Sequence, residues 1–514
     1  MASTPHATGR TWCGLIVLVL PALLTSMDVS VLFVAGPAIA ETLRPTATQW
    51  LWAMDVYGFV LAGLLITMGS LGDRIGRRTL LLAGALCFGG SSALLAWAPG
   101  PELLIAARAL MAVGGATLAP STLALIRALF AHEDQRRTAV GVWTVAFTGG
   151  AVIGPIVAGV LLEYFWWGAV FLINVPVMAL LLATAPLLLP EIRSADPTPF
   201  DLPGAAMSLA AVMSLVYVLK HVAEEGFTPT AIAVAGAGLA AALGFLARQR
   251  SARHPLVDLA LFRVRAFAAA VGANTTVAMA VSGLGVLAFP FLQSVHGMSP
   301  LESALWALPT LAGTLAGTQI ATVTASRVSN AGLLTAGLVV AAVGFTVIAT
   351  LDPASGVGVF VGGYTILTLG VGMTATTANA VVLSTASSER AGAAAGISET
   401  STELGAGLGI AVLGTLASLM YRRAMADANV SDIDPAAAET VGAAVASARQ
   451  LSGDRADALL DAAFGATTGG ITAAAGLGAL FTVTVAVVLT AALRLGRSGD
   501  ARRTGDHPRT SARS

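Results

Sequence analysis

The sequence predicts an all-α integral membrane protein, with fourteen transmembrane helices in a six, two and six arrangement and both termini in the cytoplasm. Three observations predict it. Hydrophobic residues make up 56% of the 514 and charged residues only 11%, less than half the roughly 25% of a soluble domain. Apolar runs near the roughly 20 residues a bilayer requires recur between short polar loops. The basic residues gather on alternate loops. The composition excludes an ordinary cytosolic enzyme, a nucleic-acid binder and a disordered regulator.

Taken in order, the runs lie at about 12–38, 49–70, 79–98, 102–126, 138–163, 168–190, 204–221, 230–247, 267–292, 302–325, 331–350, 356–385, 391–421 and 470–494. They are too long and too uniformly apolar for barrel strands, which alternate over about ten residues. The first run is too long for the apolar stretch of a signal peptide and holds Asp28 in its middle, so it reads as an uncleaved span. With the N-terminus inside, the inner segments and the C-terminal tail carry twenty-one of the 28 basic residues, which supports an even number of spans, a parity that twelve and fourteen both satisfy. The short outer loops hold Arg44 and Lys220, the one lysine of the chain. Arg108 lies within a span.

Four regions follow. A six-helix bundle covers 1–190. A Pro- and Asp-rich cytoplasmic linker and two extra helices cover 191–250. A second six-helix bundle covers 251–497, and 498–514 is a polar, disordered cytoplasmic tail. Within the second bundle, the outer loop at about 422–469 holds seven acids (Asp427, Asp432, Asp434, Glu439, Asp454, Asp457, Asp461) against four arginines. Val441, Val445, Leu459, Leu460 and Phe464 recur there at helical spacing. Two short amphipathic helices over an exit are expected, with a plain solvated connection as the alternative. Cys13 and Cys87 sit in apolar runs, with no disulfide framework and no metal-ligand spacing.

Between the second and third spans runs Gly69-Ser-Leu-Gly-Asp73-Arg74-Ile-Gly76-Arg77-Arg78. Glycines permit a tight turn at the membrane surface, and Asp73 can pair with Arg77 or cap a helix N-terminus. The arginines would anchor the inner face in any case, but anchoring leaves Asp73 unexplained. The segment resembles the signature of the major facilitator superfamily at the same inner loop, where the resemblance implies a latch between the two halves. Met27-Asp28-Val29-Ser30-Val31 with Ala35-Gly36-Pro37 is similar to the first-helix motif of its drug exporters, with Gly36 in place of the usual Leu. Arg108-Ala-Leu-Met111-Ala112-Val-Gly-Gly-Ala resembles the proton-linked arginine motif, with Met111 and Ala112 for the usual Gln and Gly. Gly141, Gly150, Gly154-Pro155 and Ala158-Gly159 match the spacing of the antiporter motif, whose small residues and proline bend a helix and let a neighbour approach. Trp167-Gly-Ala-Val-Phe171-Leu-Ile-Asn174-Val-Pro176 resembles a motif of the fourteen-helix drug:proton antiporter family. The resemblance spans essentially the whole chain. It implies the major facilitator fold and proton-coupled, alternating-access export of lipophilic cationic drugs such as quaternary ammonium compounds and dyes. It further implies a multi-pass location in the cell's inner (cytoplasmic) membrane, no cofactor beyond the proton gradient, and no nucleic-acid partner. A monomer in the lipid bilayer, with protons and small lipophilic cations as its partners, is expected.

Charged residues at membrane depth are functional candidates by default. They are Asp28, Asp55, Arg108, Glu399 and Glu403. At 1.5 Å per residue, Asp28 lies roughly 24 Å from Trp12, in the outer half. Glu399 and Glu403 are four apart and share one helix face. Two carboxyls that close in a poorly hydrated cavity should not both stay ionised. They form both a proton carrier and an anionic site for a cation, so that proton and substrate compete. A buried salt bridge or hydrogen-bonded acid is the alternative role for any of them. Several acids would permit electrogenic exchange, each charge being worth about 2.3 kcal/mol per 100 mV. Trp50, Trp52, Tyr57, Trp143, Trp306 and Tyr364 could face a bound cation or serve as interfacial belt and packing. A dedicated exporter of one natural product would carry the same motifs. A membrane-embedded enzyme or a channel is disfavoured, since no convergent nucleophile or metal site is present and a channel needs no antiporter motif.

Overall fold

The computed structural model describes the chain except residues 1–6, 194–200, 253–258, 354, 386–390, 429–433 and 505–514. Arg253, Arg390, Asp432, Arg509 and Arg513 therefore lie outside the described residues. The fold is all-helical. The first half contains α1 (Gly9–Leu43), α2 (Ala47–Ile75), α3 (Arg77–Ala96), α4 (Pro101–Leu129), α5 (Glu133–Tyr164), α6 (Ala169–Leu172) and α7 (Asn174–Leu188). An inserted hairpin follows, α8 (Leu202–Glu225) and α9 (Pro229–Ser251). The second half contains α10 (Arg265–Pro290), α11 (Pro300–Trp306), α12 (Leu308–Thr324), α13 (Asn330–Ile348), α14 (Val357–Thr385), α15 (Ala391–Gly409), α16 (Thr415–Asp427), α17 (Val441–Ala448) and α18 (Asp454–Thr504).

Local chemistry sets these boundaries. Thr46 accepts from the Gln49 backbone and Gln49 reaches back to Thr46, closing a capping box on α2. Thr228 and Ser299 cap α9 and α11, each followed by a proline at the first helical position. Tertiary packing then separates two bundles. In the first, α1 packs on α5 and α4 lies between α2 and α3; in the second, α14 lies between α12 and α13, and α10 packs on α15. The halves meet where α2 touches α15, α1 touches α10 and α5 touches α11.

Eleven described helices are long and apolar enough to cross a membrane, or up to thirteen if each bent pair is one span. The bent pairs are α2 and α5. The expected span at 302–325 is broken at Ala307 into α11 and α12. Pro309, lacking an N–H, begins α12 instead of continuing α11, and α12 alone has 17 residues. Lys220 does not lie in an outer loop as expected. It sits inside α8 with 2% of its surface exposed, because a buried carboxylate neutralises it. The second expected amphipathic outer helix is no separate element, since α18 starts at Asp454 and continues into the membrane as one helix. It also runs on to Thr504, into the expected disordered tail, with no proline to stop it.

Candidate functional site

The acids of the interior fall into two classes. Asp28 on α1 and Arg108 on α4 form a fully buried ion pair, Arg108 Nη1 donating to Asp28 Oδ2. Arg108 Nε donates to the Ala53 carbonyl at 3.3 Å, and the guanidinium lies 4.7 Å from the centre of the Tyr57 ring. Asp55 on α2 is matched by Lys220 on α8, whose Nζ lies 3.0 and 2.9 Å from the two carboxylate oxygens. The same ammonium sits 4.2 Å over the Trp52 ring. An unpaired charge at mid-bilayer costs at least roughly 2.5–3.5 kcal/mol, so each pair is a local neutralisation that lets its helix be apolar elsewhere.

Among the described residues, no such cation pairs with Glu399 or Glu403. Both line a cavity of about 340 Å³ between the two halves. Its walls include Ser26 and Val29 of α1, Tyr57 of α2, Phe147 of α5, and Asn274 of α10. Asn274 donates to Thr402 at 2.7 Å, joining α10 to the acidic helix α15. A second chamber of about 250 Å³ shares Ser26, Val29, Val281 and Ser282 with the first and adds Phe33, Trp306 and Tyr364. No basic residue lines either chamber. Asp28 and Asp55 are not among the lining residues. The sequence thus placed four acids together that the fold divides into a cavity pair and two ion pairs. Of the six candidate aromatics, Tyr57, Trp306 and Tyr364 line the chambers. Trp143 stands behind Phe147, stacked on it with centroids 5.2 Å apart and bonded to Thr122. Trp52 is taken up by Lys220.

Around the chambers, α5 carries the glycine pattern across both halves. A Cβ at Gly150 would meet the Leu23 carbonyl of α1 at 2.4 Å, and one at Gly154 the Ser30 hydroxyl at 2.3 Å. A Cβ at Gly159 would meet Leu301 of α11 at 2.8 Å. Gly141 faces open space and makes no such contact.

At the turn between α2 and α3, Asp73 pairs with Arg77 at 2.6 Å, and Gly76 takes φ 112°, reserved for glycine. Glu191, read from sequence as the start of a linker, holds this turn. It accepts from the Arg78 and Thr79 backbones and the Thr79 hydroxyl at 3.0, 3.2 and 2.6 Å. Burial pushes its carboxyl up, but these hydrogen bonds outweigh it and hold the group below its usual value. Arg78 donates to the Leu189 carbonyl at 3.0 Å. These contacts of the motif lie within the first half. At the C-terminal end of α1, α17 closes over that helix, with Gly442 against Ala40 and Pro37. Arg449 pairs with Glu41, Arg44 with Asp434 at 2.9 Å, and Glu439 accepts from Ala47 N at 3.1 Å. Leu459, Val441 and Tyr421 share the small core beneath this cap.

The family model for the Major Facilitator Superfamily matches residues 18–410. The chain is 41% identical over 505 residues to the multidrug efflux pump LfrA of Mycolicibacterium smegmatis, covering 96% of this chain and 98% of the pump. It is 34% identical to the methyl viologen resistance protein SmvA of Salmonella typhimurium, covering 88% and 92%. Its fold is similar to a bacterial homologue of the human lysosomal transporter Spinster in an inward-facing, unoccupied conformation, with TM-score 0.69, 18% identity, and 95% and 98% covered. The relatives support a drug exporter, not an enzyme, built from many apolar membrane helices. A polytopic all-helical chain, two bundles with an acid-lined chamber between them, and a family match over most of its length agree: it belongs to the major facilitator superfamily.

Proposed function

We propose that the chain exports lipophilic cationic drugs in exchange for protons, using Glu399 and Glu403 as the acids for which cation and proton compete. One observation carries this reading: the chamber between the halves is lined by these two carboxyls, largely apolar walls and no basic residue. Apolar walls take up a lipophilic body, the Tyr57 ring can face a cation, and an acid with no counter-cation is the group that must take a proton or a positive substrate. The Asp28–Arg108 pair lies next to Tyr57, a residue of the chamber wall, with the guanidinium 4.7 Å from the ring centre. The name of the relative that confers methyl viologen resistance supports a cationic cargo.

The same reading has fourteen spans as six, two and six, counting α11 with α12 as one, and both termini in the cytoplasm of the cell's inner membrane. The halves cover 1–190 and 251–497, with a linker and two extra helices at 191–250 and a cytoplasmic tail at 498–514. One chain encloses the chamber, so a monomer suffices. The closed outer cap supports a state open toward the cytoplasm. Efflux of ethidium from proteoliposomes under an imposed pH gradient tests the reading. Export by the wild type that requires the gradient, and is lost in Glu399→Gln/Glu403→Gln, is expected. Efflux by that variant at the wild-type rate would sink it.

A second reading, export of a single natural product, is supported by 31% identity over 507 residues to the tetracenomycin C resistance and export protein of Streptomyces glaucescens. Failure to move any of a panel of dyes, together with transport of one aromatic natural product, would favour it.

A further inference from the structure

The inserted hairpin α8–α9 contributes no residue to either chamber, and α9 is the least buried of the candidate spans. It is nevertheless closely built. Asp201 caps α8 by accepting from Gly204 N at 2.9 Å and pairs with Arg248 of α9 at 2.6 Å, closing the inner end. His221 and Thr228 meet at 2.8 Å beside the turn. Gly238 of α9 seats against Ser214 of α8.

The hairpin touches both halves of the transporter, in different ways. Against α2 it is held at three heights: Leu209 sits on Gly63, Val216 packs with Phe59, and Lys220 pairs with Asp55. Toward the second half, α8 meets α16 and the turn before it, with Ala411 joining the cluster around Val216. Small apolar faces can slide past one another. A buried ion pair cannot part without leaving two charges in lipid.

We propose that the Asp55–Lys220 pair is a charge-neutral tether that makes the inserted hairpin move with the first half, sliding over the second, and that Asp55 is a fixed counter-charge and not a proton carrier. Lys220 is then a positioning residue. It supplies the only lysine charge of the chain at the place where α8 must not slip, and its ammonium also lies 4.2 Å over the Trp52 ring. The pair carries no net charge, so a hairpin riding with the first half adds nothing to the voltage dependence of the cycle.

The test rests on the exporter reading for its transport assay, and on melting temperature independently of it. Asp55→Asn, Lys220→Met, the neutral double Asp55→Asn/Lys220→Met and the swap Asp55→Lys/Lys220→Asp are purified and melted, and efflux of ethidium is measured in proteoliposomes. Each single variant should melt lower and transport about tenfold or more slower, because it strands a buried charge. The double and the swap should regain the wild-type melting temperature, and gradient-driven efflux to within about threefold, a coupling that double-mutant cycles resolve. A neutral double that melts like wild type yet has lost gradient-driven export would make Asp55 a proton carrier and overturn the proposal. Single variants indistinguishable from wild type in both readouts would overturn the tether. A cysteine pair at Gly63 and Leu209, in a background with Cys13 and Cys87 replaced by Ser, locks α8 to α2 when oxidised. Export should persist in the locked protein, and arrest on oxidation would show that the hairpin must move against α2. Wild-type protein that moves no ethidium would count against the exporter reading, while the melting cycle still decides whether the pair is a tether.

Discussion

Asp28 and Arg108 meet in full burial, with the guanidinium 4.7 Å from the centre of the Tyr57 ring, and Tyr57 also lines the chamber that holds Glu399 and Glu403. One aromatic residue thus touches both a settled pair of charges and the chamber of an unsettled one. Among the described residues, Arg108 Nη2 has no hydrogen-bond partner.

Removing one member of the settled pair should be worse than removing both charges. Asp28→Asn or Arg108→Gln strands a buried charge, a loss of about 3–5 kcal/mol. Asp28→Asn/Arg108→Gln should recover most of that loss. Thermal unfolding of the four proteins in detergent checks the sign and the size.

For the unsettled pair, the expectation is opposite. Glu399→Gln and Glu403→Gln strand nothing, so the melting temperature should hold or rise. Cation affinity should fall about tenfold or more, which is about 1.4 kcal/mol. Equilibrium binding of a fluorescent cation to each variant measures it, and unchanged affinity in both would remove these acids from the site.

At the inner turn, Glu191 gives a pH test with a defined sign. Its carboxyl is held below its usual value by hydrogen bonds from Arg78, Thr79 and Ile192 that together outweigh burial. The stability it adds is therefore present above the ordinary value of about 4.3 and is lost as pH falls through the lower folded value. Glu191→Gln should cost roughly 1 kcal/mol at neutral pH. The gap between variant and wild type should close below about pH 4. Melting curves at neutral and acid pH compare them.

Along α5, two glycines should respond differently to the same change. At Gly150 an added methyl meets a backbone carbonyl, which cannot move aside. At Gly154 its nearest neighbour is the Ser30 hydroxyl, a movable group. Gly150→Ala should cost about 1–3 kcal/mol. Gly154→Ala should cost less, and less again with Ser30→Ala, as melting and export rate would show. Gly141→Ala, facing open space, should be silent.

Much of this was legible from sequence. The apolar runs at 12–38 or 102–126 and the glycine spacing of 150, 154 and 159 report local geometry, and local geometry is what a sequence spells out. The membership of Glu399 and Glu403 in one face follows from a spacing of four. Partners far apart in the chain were not legible. Lys220 stands 165 positions from Asp55, so an isolated lysine near the end of an apolar run read as a loop residue. Glu191 stands 112 from Thr79 and looked like the first residue of a linker. Proline is tolerated in membrane helices, so Pro309, three residues after Trp306, gave no warning that α11 and α12 would separate. The one available signal for Lys220 was its solitude: the single lysine of the chain at the end of a long, largely apolar run needs an anion.

The small-residue face of α5 also decides where the molecule can flex. Gly150 and Gly154 seat the inner part of the helix on α1, while Gly159 seats the outer part on α11. Between the two seats stands Pro155, which leaves one carbonyl of the preceding turn without its usual N–H. α5 is bent by 48° in that turn, between Ala151 and Ile153, so the helix that seats on both halves is already flexed on the α1 side of its contact with Leu301, where the backbone has the fewest bonds to lose.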